Sequence, residues 1–230
     1  EEGTPQGGVI SPLLSNIYLH EVLDVWFEQE VRPCLKGEAA LIRFADDYVI
    51  LCTSERDAHR IAVVLPKRFG KYGLSIHEEK TRLLDFHRPR SEAKKTATFV
   101  FLGFTHYCGK TRNGYFKVKR RTSRKKLGAS LRQFTDWAQN ARRVLRKGEM
   151  LRAARSRVIG HLSYYAITDN SDRCRYYVYR ATHILFKWLN RKSQRKAYTW
   201  EGFNQALAWV NWPKPRIQKD LNPFRRAEAC

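Results

Sequence analysis

The chain has 230 residues, 43% of them hydrophobic, and a formal net charge of +22. That length accommodates one large domain or two small ones with buried cores, and no stretch is apolar enough to span a bilayer or act as a signal peptide. Five widely spaced cysteines without a Cys-x-x-Cys argue against a disulfide framework or a zinc site and fit a reducing cytoplasm.

Charge is distributed unevenly. Residues 1–90 hold 12 Lys+Arg and 14 Asp+Glu, a net of −2, whereas residues 91–230 hold 32 and 8, a net of +24, which together make +22. A cationic excess of that size on one segment selects polyanions, of which nucleic acid is the commonest. A basic membrane-surface helix would need a clean apolar face. Here the cations are instead interleaved with Trp and Tyr.

Gly3-Thr4-Pro5-Gln6-Gly7-Gly8 opens the chain as a loop whose glycines allow close approach to a ligand and whose Gln6 offers an amide. Ser11 as N-cap and Pro12 at the first helical position start a helix. Leu13, Leu14, Ile17, Tyr18, Val22, Leu23, Trp26 and Phe27 give it an apolar face read as core, and Pro33 stops it near Val31. Leu41–Cys52 then places two strand-like apolar runs around Asp46-Asp47. Adjacent carboxylates repel and are poor hairpin formers. A divalent cation would cancel the charge, and hard oxygen ligands suit Mg²⁺; the plainer alternative is an exposed acidic turn.

Ser54 with Asp57 resembles a capping box for a helix carrying Ile61, Val64, Leu65 and Phe69. Pro66 is expected to kink or divide that helix, and Gly70 and Gly73 to end it. Leu74-Ser75-Ile76 and Arg82–Phe86 read as extended pieces on either side of Lys80, and 91–98 as a loop. Phe99–Phe104 is strand-like, with Gly103 marking a close approach. Tyr107 and Tyr115–Val118 pair across Arg112-Asn113-Gly114.

Near residue 120 the pattern turns helical. Its stripes are Leu127, Leu131, Phe134, Trp137 and Ala138; Leu151, Ala154, Val158 and Leu162; and Tyr176, Tyr179, Ile184, Trp188 and Leu189. Thr199 caps a last helix with Phe203, Leu207 and Val210, which Pro213 ends.

In this order the motifs resemble those of reverse transcriptases encoded by bacterial group II introns. Thr4–Pro12 with Asn16 is similar to the loop and helix that contact nucleotide and template, and Phe44-Ala45-Asp46-Asp47 to the metal-binding hairpin. Gly73-Leu74 with Lys80 is similar to a further palm motif, and Phe101-Leu102-Gly103-Phe104 to the primer grip. Ile159–Tyr165, with the basic helices around it, resembles the thumb or maturase domain. Retron-type reverse transcriptases share the aspartate pair but resemble the loop and grip less. The family more often has Tyr where this chain has Phe44.

The resemblance implies an α+β fold. Residues 1–120 form a partial palm, an antiparallel sheet with packed helices, and residues 121–230 an all-α, basic thumb bundle. It implies RNA-directed DNA polymerisation with Mg²⁺ held by Asp46 and Asp47. Lys80 neutralises or protonates pyrophosphate, and Pro5, Gln6, Gly7, Gly8, Phe44, Leu102 and Gly103 line the substrates. Lys119, Arg120, Arg121, Arg124, Lys125, Lys126, His161 and Tyr164 meet RNA, although aromatics at helical spacing and a basic run also occur as core and as solvated surface. Expected partners are an intron RNA template, a DNA primer and deoxynucleoside triphosphates, without a membrane. A third metal carboxylate and the fingers are expected upstream of Glu1, leaving these residues alone inactive. The competing function is a non-catalytic splicing cofactor that binds intron RNA.

Overall fold

A computed structural model describes residues 10–89, 96–111, 113–191 and 198–221. It divides into two compact units, Glu1–Ala97 and Thr98–Cys230. The Thr4–Gly8 loop, with Pro5, Gln6, Gly7 and Gly8, lies outside the described residues.

The first unit begins with α1 (Ser11–Leu19), which continues through π-helical turns at His20–Val25 and Phe27–Val31 to a 3₁₀ turn at Arg32–Cys34. Ser11 is inside the helix rather than its cap, and Ile10 takes the cap position without a side-chain bond. Only the later part of the expected apolar face is core. Val22, Leu23, Trp26 and Phe27 are buried, whereas Leu13, Leu14, Ile17 and Tyr18 are exposed. The wider turns change the angular step per residue, so a strict 3.6-residue stripe does not run the length of the segment.

Strands β1 (Ala39–Phe44) and β2 (Asp47–Cys52) pair antiparallel, with Phe44 opposite Asp47. Helix α2 (Glu55–Lys71) packs its Ile61, Leu65 and Phe69 onto Leu23, Trp26, Phe27 and Ala39. Ser54 caps it by accepting from the Asp57 N–H. Asp57 does not complete a capping box. Its buried carboxylate accepts the backbone N–H groups of Lys36 and Gly37, at 2.9 Å each. The Gly37 N–H leads the causes that hold this carboxyl below the usual carboxylate range. Pro66 and Gly70 lie within the continuous helix and do not divide it, and Gly73, at φ +69°, follows its end. Val64 is exposed rather than internal. Leu74–Ile76 and Arg82–Phe86 form no strand, because no neighbouring strand pairs with them among the described residues.

The second unit opens with a three-stranded antiparallel sheet, β3 (Phe99–Phe101), β4 (Phe104–Lys110) and β5 (Phe116–Thr122). The expected single run Phe99–Phe104 is broken at Leu102-Gly103. Positive φ values of 50° and 79° there make a two-residue hairpin turn with Phe101 opposite Phe104. Among the described residues four helices follow: α3 (Arg124–Val144), α4 (Lys147–Tyr165), α5 (Ser171–Asn190) and α6 (Trp200–Trp209).

The helices share one core. The α4 stripe and the α6 residues Phe203, Leu207 and Val210 are buried as their spacing predicts. On α5, Trp188 and Leu189 are buried as expected, but of the tyrosines it is Tyr177 that is buried, while Tyr176 and Tyr179 are exposed. Adjacent aromatics leave the phase of the stripe ambiguous, and packing selected Cys174, Tyr177, Val178 and Ala181. Buried Asn170 ties sheet to bundle. Its Oδ1 accepts from the Thr122 N–H at 2.8 Å, and its Nδ2 donates to Thr122 Oγ1 at 2.7 Å and to the Tyr165 carbonyl at 2.8 Å. The change from strand to helix falls at Thr122/Ser123, and the sheet from Phe99 onward lies in the same compact unit as the helices. No described helix is long and apolar enough to cross a membrane.

Candidate functional site

The β1–β2 hairpin turns through Ala45 and Asp46 alone. Ala45 has φ +53°, a conformation that costs an L-residue with a Cβ about 1–2 kcal/mol. The turn sets Asp46 at the tip and Asp47 at the start of β2, both exposed. Neither carboxylate has a hydrogen bond or ion pair among the described residues. Phe44, beside them, is 64% exposed.

The tip is fixed from below by Arg43. Its Nε and Nη2 donate to the two oxygens of Asp24 at 2.7 and 2.6 Å. Its Nη1 donates to Asn16 Oδ1 and to the Ala45 carbonyl, each at 3.0 Å. One guanidinium thus joins α1, the first π-helical turn and the strained turn. The Arg43 side chain is 13% exposed and that of Asp24 25%. The Arg43 bond holds the Asp24 carboxyl below its ordinary range, assisted by His20 at 3.2 Å and opposed by burial. Reading the sequence for motifs picks out Asn16 and the aspartate pair and misses Arg43 and Asp24. An arginine within an otherwise apolar strand was the available signal, since a half-buried guanidinium requires a partner.

Two exposed carboxylates without partners suit a hard divalent cation. No group of three or more His, Cys, Asp and Glu side chains capable of holding a metal occurs among the described residues. Lys80 is exposed on the turn following His77, whose carbonyl accepts its N–H, and no bond joins it to the aspartates.

In the second unit, α4 clasps the Leu102-Gly103 turn. Tyr164 Oη donates to the Leu102 carbonyl at 2.9 Å, and its ring stacks on Phe104 at 5.7 Å. A Cβ on Gly103 would lie 3.0 Å from the Tyr165 hydroxyl, so close approach as well as positive φ demands glycine there. His161 is packed against Tyr177 and Tyr165, at ring distances of 3.5 and 4.6 Å. Burial lowers its pKa to about 4, so it is a neutral member of an aromatic stack at physiological pH. Tyr164, by contrast, is half exposed.

The basic run splits by environment. Lys119 and Arg120 are partly covered, and Arg120 Nη2 donates to the Leu221 carbonyl at 3.1 Å. Arg121 is exposed and lies 4.9 Å over the Tyr107 ring. Arg124, Lys125 and Lys126 are exposed in the first turn of α3, where the helix dipole disfavours cations unless an anion is near.

The first unit thus presents an acidic hairpin tip fixed to a helix through Arg43. The comparison with known families is more specific. Residues 1–106 match the family model described as reverse transcriptase (RNA-dependent DNA polymerase), which supports RNA-directed DNA polymerase activity in general terms, with a nucleic-acid template and deoxynucleoside triphosphates. The match covers the Gly-rich loop, the acidic hairpin and the Leu102-Gly103 turn, and ends before β5. No curated protein matches the chain.

Proposed function

We propose that this chain is part of a group II intron-type reverse transcriptase whose helical region also binds intron RNA as a maturase. The observation that carries the reading is the hairpin: a strained two-residue turn, held by Arg43, presenting Asp46 and Asp47 without partners inside the span matched to reverse transcriptases. Asp46 and Asp47 would hold Mg²⁺, whose charge, when bound, favours ionisation of a primer 3′-hydroxyl and steadies the pyrophosphate oxygens.

The chain's own residues act around that centre. Arg43 keeps the carboxylates at the tip, and exposed Phe44 offers a ring beside them. Lys80 supplies a cation for the leaving pyrophosphate. Pro5, Gln6, Gly7 and Gly8 line the incoming base pair, and Leu102 and Gly103 bring backbone close to the primer. Palm residues 1–120 would position the reaction, and residues 121–230 would hold the duplex. Lys119, Arg120, Arg121, Arg124, Lys125, Lys126 and Tyr164 meet RNA, with His161 packed behind Tyr165. Net charge of +24 over residues 91–230 supports phosphate binding. In the enzyme carrying this chain, Asp46→Asn abolishes primer extension on an RNA template and leaves RNA binding intact. Extension at the unaltered rate overturns the assignment.

A further inference from the structure

The second unit contains an open pocket of about 330 Å³ that the polymerase reading leaves without a role. It is lined by Arg152, Arg155 and Ser156 on α4 and by Trp209, Val210 and Asn211 at the end of α6. Spacing of three and four residues puts the α4 members on one face. Trp209 is 60% exposed, although Phe203, Leu207 and Val210 around it are buried. The core takes those three side chains and leaves the indole on the surface. The Arg152 guanidinium lies 5.3 Å from the centre of the Trp209 ring. Arg155 Nε donates to the Asn211 carbonyl at 3.2 Å, tying the end of α6 to α4.

The lining contains no acidic residue, and neither arginine pairs with a carboxylate among the described residues. Glu149, the acid nearest in sequence, accepts from the Arg146 N–H at 2.8 Å. Beyond the pocket the exposed i+4 row of α4 winds around the helix. A Cβ on Gly160 would meet nothing within 4 Å, and Tyr164, eight residues past Ser156, lies about 12 Å along the helix and about 80° around it.

We propose that this pocket binds an unpaired nucleotide, its base stacked on Trp209 and its phosphate held by Arg152 and Arg155. This rests on the nucleic-acid reading given above. An exposed indole beside two uncompensated guanidiniums matches the planar face and the anion of a nucleotide at once. The volume is that of a small-ligand site, and the surrounding cationic excess raises the local concentration of a polyanion. The strand would continue along α4 toward Tyr164 and the Leu102-Gly103 turn.

The test is fluorescence anisotropy of the 230-residue chain with a labelled oligouridylate of about 12 nucleotides, and with blunt duplex RNA of equal phosphate number. Trp209→Ala weakens oligouridylate binding about 5- to 150-fold, the equivalent of ~1–3 kcal/mol for one stacked base. It leaves duplex binding unchanged, and Trp209→Phe retains most of the affinity. Arg152→Gln lowers the log–log salt slope by about 0.7. Thermal melts matching the unaltered chain show that the variants are folded. Oligouridylate binding that ignores Trp209, or an equal loss on the duplex, overturns the pocket alone. Displacement of oligouridylate by polyglutamate as effectively as by RNA replaces the nucleotide with an acidic protein partner. Failure of the unaltered chain to bind any oligonucleotide overturns the nucleic-acid reading itself.

Discussion

Arg43→Ala is the most informative single change in the first unit. It removes four donated bonds at once: two to Asp24, one to Asn16 and one to the Ala45 carbonyl. An exposed ion pair contributes about 0–1 kcal/mol, while breaking a fully buried one costs about 3–5 kcal/mol. With side-chain exposures of 13% and 25%, this pair falls between, and a loss of about 2–3 kcal/mol is expected. The acid dependence carries a sign as well. The folded Asp24 carboxyl titrates below its unfolded value. Its stabilisation is therefore complete above about pH 4 and disappears as pH falls through the folded value, and Arg43→Ala removes that segment of the curve. Hydrogen exchange of β1 and β2 peptides across a urea series reads the first unit alone. Protection reduced by less than about 0.5 kcal/mol, within the range of ordinary surface changes, or an unchanged acid dependence, would refute the assignment. Arg43→Lys retains the charge but not the fork. It is expected to lie between the two and to slow primer extension by releasing the Ala45 turn.

Two further changes probe the second unit. His161 titrates at about 4 when folded against roughly 6.5 when unfolded, so the unfolded chain takes up the proton first and stability falls as pH drops from about 6.5 toward 4. His161→Phe removes up to roughly 3 kcal/mol of that acid sensitivity, measured as the difference between urea midpoints at neutral and acidic pH; equal midpoint shifts in both proteins would refute it. Gly103→Ala meets both a φ of +79° and the Tyr165 hydroxyl, and costs about 1–3 kcal/mol. Tyr165→Phe in that background recovers part of the loss in thermal melts, and no recovery would place the whole cost on the backbone.

The local features around the candidate site were legible in the sequence. The two apolar runs around Asp46-Asp47 already marked a two-stranded hairpin, because strand preference and turn position are local properties. The α4 stripe was readable for the same reason: four apolar residues at one period leave one way to face a core. Gly103 was flagged as a close approach, but the turn there, and the Tyr164 and Tyr165 clasp from some sixty residues away, required the fold.

Sequence alone determined the segregation of charge, the acidic hairpin and the glycine at the second turn, since composition and local backbone preference act within a few residues. Tertiary structure alone decided that Arg43 reaches Asp24 and Asn16, that Tyr177 rather than Tyr176 turns inward, that His161 is neutral in a stack, and that Trp209 is left outside beside Arg152. Each of these depends on which distant surface arrives first to exclude water, and that competition is settled by packing rather than by neighbours in the chain.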